Sequence, residues 1–340
     1  MSDADQAIVA KELTKAFTIA RKHEGRFAAV RSLFDPIREQ RTVVDRLTMS
    51  VARGEIVALL GPNGAGKSTS IKMLTGILTP TSGEVLVDGR VPHRDRIGNA
   101  RSIGAVFGQK TQLWWDIPAR QSLALLRDIY DIPKAVYDRQ LADFDSILEL
   151  SQFWETPVRN MSLGQRVRCE MAGAMLHDPP IVFLDEPTIG MDVVVKEQTR
   201  EFLRYQVQER GRTIVLTTHD MTEVARLCER VLLINYGRLM FDGTLEQLKA
   251  EHGGRPQVNV TFAEPVAVVE VPGARVVSHD GMRAVVAPDG ATTAEDVVRS
   301  LISRFPVVNI GVEEGNLEDL MRDVYLAKLG EAPVNASHPA

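Results

Sequence analysis

At 340 residues the chain is long enough for one large domain plus a smaller one, and too long for a single compact core. Hydrophobic residues at 44% and charged residues at 25% match an ordinary water-facing globular protein and exclude extensive disorder. A formal net charge of −5 argues against a general nucleic-acid binder, so no nucleic acid is expected as a partner.

The chain opens with two strand-like runs, Ile8 to Leu13 and Val43 to Val51, read as parts of a more antiparallel sheet. Between them lies a basic segment, Arg21 to Arg41, with Arg21, Lys22, Arg26, Arg31, Arg38 and Arg41. It reads either as a solvated loop or as a contact for anionic headgroups or a membrane partner. Strands and helices then alternate from about residue 55 to 250, the pattern of an α/β core with a largely parallel sheet. Glu55 to Leu60, Ile181 to Leu184 and Thr213 to Thr217 are short, continuous apolar runs of the kind that form buried parallel strands. Residues 118–153 are predicted helical, with Leu123, Leu126, Ile129 and Tyr130 at one-face spacing.

Composition changes again at Glu251-His-Gly-Gly-Arg-Pro256. Val-rich runs follow, punctuated by Pro272-Gly273 and Asp280-Gly281, then a predicted helix at Thr293 to Ser303 and a strand at Val307 to Val312. A last helix places Leu317, Leu320, Met321, Val324 and Tyr325 on one apolar face. Residues 256–330 therefore read as a separate small α+β domain, with a flexible tail over 331–340. Cys169 and Cys228 stand in no metal-ligand spacing and read as reduced, buried thiols. No stretch approaches the roughly 18–20 apolar residues that cross a bilayer, and the acidic start lacks the layout of a signal peptide. Any membrane role is expected to pass through a partner.

The chemistry concentrates at three strand ends. Gly61-Pro62-Asn63-Gly64-Ala65-Gly66-Lys67-Ser68-Thr69 fits G-x-x-x-x-G-K-[ST], after a buried strand and before a helix. Its glycines let successive N–H groups point inward as an anion-binding nest at the positive end of a helix, and a triphosphate is the natural guest. Lys67 is expected against the β- and γ-phosphates, with the Ser68 hydroxyl on Mg²⁺. Ile181 to Asp185 is a hydrophobic strand ending in a carboxylate, which places Asp185 beside Mg²⁺. Glu186, next to it, is a candidate for orienting the attacking water. His219 ends the following strand and is expected to face the same phosphates.

With these motifs on the page, Met161-Ser162-Leu163-Gly164-Gln165 resembles the signature of the ATP-binding cassette (ABC) family, usually Leu-Ser-Gly-Gly-Gln. The resemblance covers roughly residues 6–250. It implies an α/β fold: a P-loop, RecA-like core with an antiparallel β-subdomain and a helical subdomain at about 112–178, within a nucleotide-binding domain of residues 1–252. It further implies that Ser162, Gly164 and Gln165 bind the γ-phosphate held by another protomer, in a head-to-tail homodimer or a pseudo-symmetric dimer with another ABC ATPase. Asp192 matches the loop that communicates across this dimer, and Gln109 matches the family glutamine that touches Mg²⁺ and the attacking water. Phe17 is the candidate for stacking on adenine, with Phe34 second.

The run Leu113-Trp114-Trp115-Asp116-Ile117-Pro118 resembles the region that lines a groove for a helix of the membrane subunit. Trp114 and Trp115 read equally as core residues or as a docking hot spot. The wording around Gly76 to Glu84, Val106 to Asp116 and Thr188 to Asp192 is similar to bacterial exporter ATPases that serve separate ABC-2 type permeases. Transport-coupled ATP hydrolysis on the cytoplasmic face of a membrane is the expected role, with ATP and Mg²⁺ as cofactors. The competing reading is a non-transport cassette acting on ribosomes or DNA. Such relatives carry two cassettes in one chain or insert a long coiled coil, and the stretch between Gln165 and the boundary near Gly253 is too short for that.

Overall fold

A computed structural model describes residues 5–21, 37–108, 110–218, 220–252, 256–290 and 292–313. Gln109, His219, Phe34, the basic residues Lys22, Arg26 and Arg31, the amphipathic 317–325 segment and the 331–340 tail lie outside the described residues. The chain divides into two compact units, Met1–Leu245 and Glu246–Ala340. The division falls at the start of a helix, Leu245–His252, whereas the sequence places the break just after it.

In the first unit, six strands form a sheet in the order β5-β6-β7-β3-β8-β9. These are β3 (Ile56–Leu60), β5 (Ile103–Phe107), β6 (Ile181–Asp185), β7 (Thr213–Thr217), β8 (Arg230–Asn235) and β9 (Arg238–Thr244). All neighbouring pairs are parallel except β8 and β9. Every residue of β3 and β7 is buried, as a sheet covered on both faces requires, and this is why the runs are continuous rather than alternating.

A second sheet orders β2-β1-β4, all antiparallel, from β1 (Gln6–Arg21), β2 (Ile37–Ala52) and β4 (Ser82–Val87). Its β1–β2 ribbon pairs from Gln6↔Ala52 to Arg21↔Ile37, with register shifts between Gln6 and Ala16, well beyond the two predicted strands. The two sheets share one core, in which Ile8, Leu13, Val44 and Leu47 join Val57, Leu59, Ile71 and Phe183.

Helices occupy the connections: α1 (Lys67–Leu74), α2 (Arg96–Ser102), α3 (Ala119–Ile129), α4 (Lys134–Leu148), α5 (Leu163–Met175), α6 (Val193–Gln208) and α7 (Met221–Leu227). Leu123 and Leu126 of α3 are buried, but Ile129 is 57% exposed. The helix stops at Ile129, and Tyr130 leaves the helical path to stack on His177 at 3.9 Å. Cys169 and Cys228 are free, buried thiols; burial pushes both up, Cys169 to about 12.

The second unit begins within α8 (Leu245–His252) and, among the described residues, holds a four-stranded antiparallel sheet, β11-β12-β10-β13, against which α9 (Ala294–Arg304) packs. Its strands are β10 (Gln257–Phe262), β11 (Ala274–His279), β12 (Arg283–Pro288) and β13 (Val307–Glu313). Alternate residues Val258, Val260 and Phe262 point into a core closed by Val297 and Leu301 of α9, the period-2 pattern of a half-buried strand. Thr293 and Asp296 cap that helix reciprocally.

Candidate functional site

The loop after β3 turns sharply because two glycines occupy places no side chain could. A Cβ on Gly61 would lie 2.0 Å from the Ile234 carbonyl oxygen, and Gly66, at φ +106, would bring one within 2.8 Å of the Val43 oxygen. The turn closes with the Ala65 N–H donating to the Pro62 oxygen at 3.1 Å. Helix α1 starts at Lys67, and the Ser70 N–H makes its bond back to the Gly66 oxygen at 2.8 Å. The N–H groups of its first turn have no intrahelical acceptor and sit at the positive end of the helix dipole. That combination attracts phosphate.

Asp185 closes β6 beside this turn. Its Oδ1 accepts from Ser68 Oγ at 3.1 Å and from Thr217 Oγ1 at 2.7 Å, where β6 and β7 pair Asp185 with Thr217. Thr217 Oγ1 also accepts the Glu186 N–H at 2.9 Å. Glu186 itself stands at φ +53, a left-handed conformation unfavourable for a side chain of this size and typical of sites where the surroundings over-determine the backbone. The ammonium of Lys67 donates to the Gly61 oxygen at 2.5 Å and to the Pro62 oxygen at 3.1 Å. Burial lowers its pKa, while Glu186 and Asp185 pull it up. The cation is held inside its own loop, facing two carboxylates.

These groups line one cleft of about 480 Å³, bounded by Pro62, Asn63, Gly64, Gly66, Lys67, Ser68 and Thr69, by Asp185 and Glu186, and by Val43, Phe107, Gly108 and Ile189. Gly108 fits there because its backbone runs against Asp185 and Glu186, where a Cβ would meet the Asp185 oxygen at 3.0 Å. Ser68 and Asp185 are hard oxygen donors close enough to share one small divalent cation, which fits Mg²⁺ rather than a soft metal. Among the described residues no group of three or more His, Cys, Asp or Glu is gathered to hold a metal. Phosphate oxygens and water would join Ser68 and Asp185 in the shell of such a cation.

The signature residues form a separate cluster and do not line that cleft. Ser162 caps α5: its Oγ accepts the Gln165 N–H at 3.2 Å, and Gln165 Oε1 accepts the Ser162 N–H at 3.0 Å. Gly164 packs on Val195, to which a Cβ would come within 3.1 Å. Asp192 caps α6, its Oδ1 accepting the Val195 N–H at 3.0 Å. Next to it Val193 and Val194 are 79% and 68% exposed. Two helix N-termini, each headed by a polar cap, thus lie side by side on the first unit.

Phe17 lies on β1 opposite Arg41, with the Lys15 ammonium 5.2 Å from its ring centre, and is not among the residues lining the cleft. Trp114 and Trp115 are exposed rather than core residues. Thr217, which ties Asp185 to Glu186, was not singled out from the sequence; the signal was the hydroxyl ending an otherwise apolar buried strand.

A glycine-rich anion cradle at a helix N-terminus, with a hydroxyl–carboxylate pair and a second acid at the end of the adjoining parallel strand, defines a P-loop nucleotide-binding protein. A family profile described as ABC transporter matches residues 44–189. The Nod factor export ATP-binding protein I of Neorhizobium galegae is 32% identical over 287 residues, covering 84% of this chain and 81% of that protein. The probable multidrug ABC transporter ATP-binding protein YbhF of Escherichia coli (strain K12) is 34% identical over 262 residues, 76% of this chain. The chain spans only 41% of the length of YbhF. Among solved structures, the dimeric, post-hydrolysis state of an ATP-binding cassette bound to ADP and phosphate matches with a TM-score of 0.58 at 26% identity, over 70% of this chain and 98% of that one. The chain belongs to the ABC transporter family and is one of its ATP-binding proteins.

Proposed function

We propose that the chain hydrolyses ATP with Mg²⁺ as part of an exporter, working as a dimer whose closure drives separate membrane permease subunits of the ABC-2 type. The observation that carries the reading is the arrangement at the end of β6. Ser68 and Asp185 are 3.1 Å apart, Thr217 holds Asp185 and the Glu186 backbone together, and Lys67 faces both acids across the loop.

In this reading the loop N–H groups and Lys67 bind the β- and γ-phosphates. Ser68 and Asp185, with Gln109 as the third proposed contact, would hold Mg²⁺, which would supply positive charge against the phosphates. Glu186 orients the water and accepts its proton, and His219 stabilises the transferring phosphoryl group. This is catalysis by positioning and electrostatics. The second half of each site is Ser162, Gly164 and Gln165 of a partner copy, with Asp192 beside them. The separation of the two clusters within one chain supports this, because the signature residues stand apart from the cleft they would complete. Phe17 remains the proposed adenine stack.

No helix among the described residues is long and apolar enough to cross a membrane, and the export named for the relatives supports a location on the cytoplasmic face of one. The exposed Trp114 and Trp115 are the proposed contact for the permease. Residues 256–330 are proposed as a dimer-supporting accessory domain. Steady-state hydrolysis by the purified chain, with and without Mg²⁺, tests the core of the reading: activity only with Mg²⁺ supports it, and ATP binding with no turnover in either condition contradicts it.

A further inference from the structure

Glu170 lies two turns into α5, the helix headed by Ser162, and is 4% exposed among the buried Cys169, Met171 and Ala172. A buried carboxylate is unfavourable unless its oxygens are hydrogen-bonded. The Thr111 hydroxyl donates to its Oε1, and the Gln112 N–H donates to its Oε2 at 3.2 Å. The Gln112 side chain donates back to the Glu170 carbonyl oxygen at 3.0 Å. Burial raises the Glu170 pKa, and the Thr111 hydroxyl and the Gln112 N–H pull it down. All three bonds reach the segment that begins two residues after Gln109 and leaves the phosphate cleft through Phe107 and Gly108.

The same face of α5 holds that segment at two more levels. One turn before Glu170, the Arg166 guanidinium lies 5.6 Å from the centre of the exposed Trp115 ring. One turn after it, Gly173 leaves room for the Gln112 side chain, whose Nε2 would be 3.5 Å from a Cβ there, and for Leu126 of α3, whose Cδ1 would be 2.9 Å away. Positions 166, 170 and 173 form one helical stripe. Packing alone would be served by an apolar residue at 170; two oxygens in fixed directions set the register of the loop as well.

We propose that Glu170 is a positioning residue that locks Thr111 and Gln112 onto α5, so that the loop carrying Gln109 and the Ser162 end of the helix move as one body. The proposal rests on the hydrolytic reading above for its activity readout, but not for its structural one.

Full-length Glu170→Gln, Thr111→Val and the double variant test it, with Thr111→Ser as the conservative control. Glutamine has the size of glutamate but replaces one acceptor by a donor, so one of the two N–H and O–H donors loses its partner. Each single variant is expected to lower kcat about tenfold with KM for ATP within twofold, and the double variant to fall no further. Thr111→Ser keeps the hydroxyl and is expected within twofold of wild type. Amide exchange at 111–113 should quicken at least tenfold in Glu170→Gln while β3 and β6 stay protected. Wild-type kcat in both single variants, additive losses, or KM rising in step with the fall in kcat would overturn the lock. If the wild-type chain does not turn over ATP, the hydrolytic reading fails by itself. The exchange measurement then still decides, and unchanged exchange at 111–113 overturns the lock.

Discussion

Asp185 and Glu186 are adjacent carboxylates with different surroundings. Asp185 is fixed by two hydroxyls, which suits a group that holds a cation. Glu186 sits on a strained backbone at the cleft wall, which suits one that must meet a reacting water. Glu186→Gln keeps the size and loses the base. It should bind ATP with Kd within about threefold of wild type and turn over at least about 100-fold more slowly; a wild-type rate would remove Glu186 from the mechanism. Lys67→Ala removes a cation that both acids act on and should weaken ATP binding at least about tenfold, read by fluorescent-nucleotide titration. A third residue gives a pH test independent of nucleotide. Burial lowers the pKa of His177 to about 4, and its Nε2 lies 3.0 Å from the Ile103 oxygen. The folded state therefore resists protonation that the unfolded chain accepts near 6.5, so stability falls with pH between about 6.5 and 4. The loss from pH 7.5 to 5 is about 2 kcal/mol for this group. His177→Gln should flatten that part of the Tm–pH curve, and an unchanged slope would assign the acid sensitivity elsewhere.

At the scale of elements, the strands that carry the chemistry were legible because their signals are local. An apolar run ending in Gly61, another ending in Asp185 and a third ending in Thr217 each announce a buried parallel strand with its polar tip at the site. The capping pair Ser162 and Gln165 also announces the start of α5. What stayed hidden depends on distant partners. The full length of the β1–β2 ribbon follows from pairing across the chain, and Glu170 reads as one more helical residue because Thr111 lies 59 positions away. Ile129 shares the predicted face with Leu123 and Leu126 yet is exposed, because it is the last residue of α3. The cap of α5 separates structure from function: as a cap alone, Ser162→Ala should cost about 1 kcal/mol of stability. If Ser162 also touches a partner's nucleotide, hydrolysis should fall more than about tenfold while ATP affinity of the single chain is unchanged. Activity that falls only in proportion to folded protein would leave the serine with its capping role alone.

On the scale of the whole molecule, the proposed dimer makes the phosphate cleft and the separate signature cluster of one chain the halves of two different sites. The second compact unit, Glu246–Ala340, carries its own core and none of the cleft residues. Truncation at Gly254 should leave ATP binding within about threefold of the full chain and weaken self-association, and an unchanged dimerisation constant would assign that unit another task. The pairing of chains itself is tested most directly by sedimentation of Glu186→Gln with saturating MgATP. The 37.6 kDa chain is expected to sediment at twice its mass with ATP and at its own mass once Ser162→Arg is added; a nucleotide-loaded protein that stays at 37.6 kDa at every concentration would contradict the account.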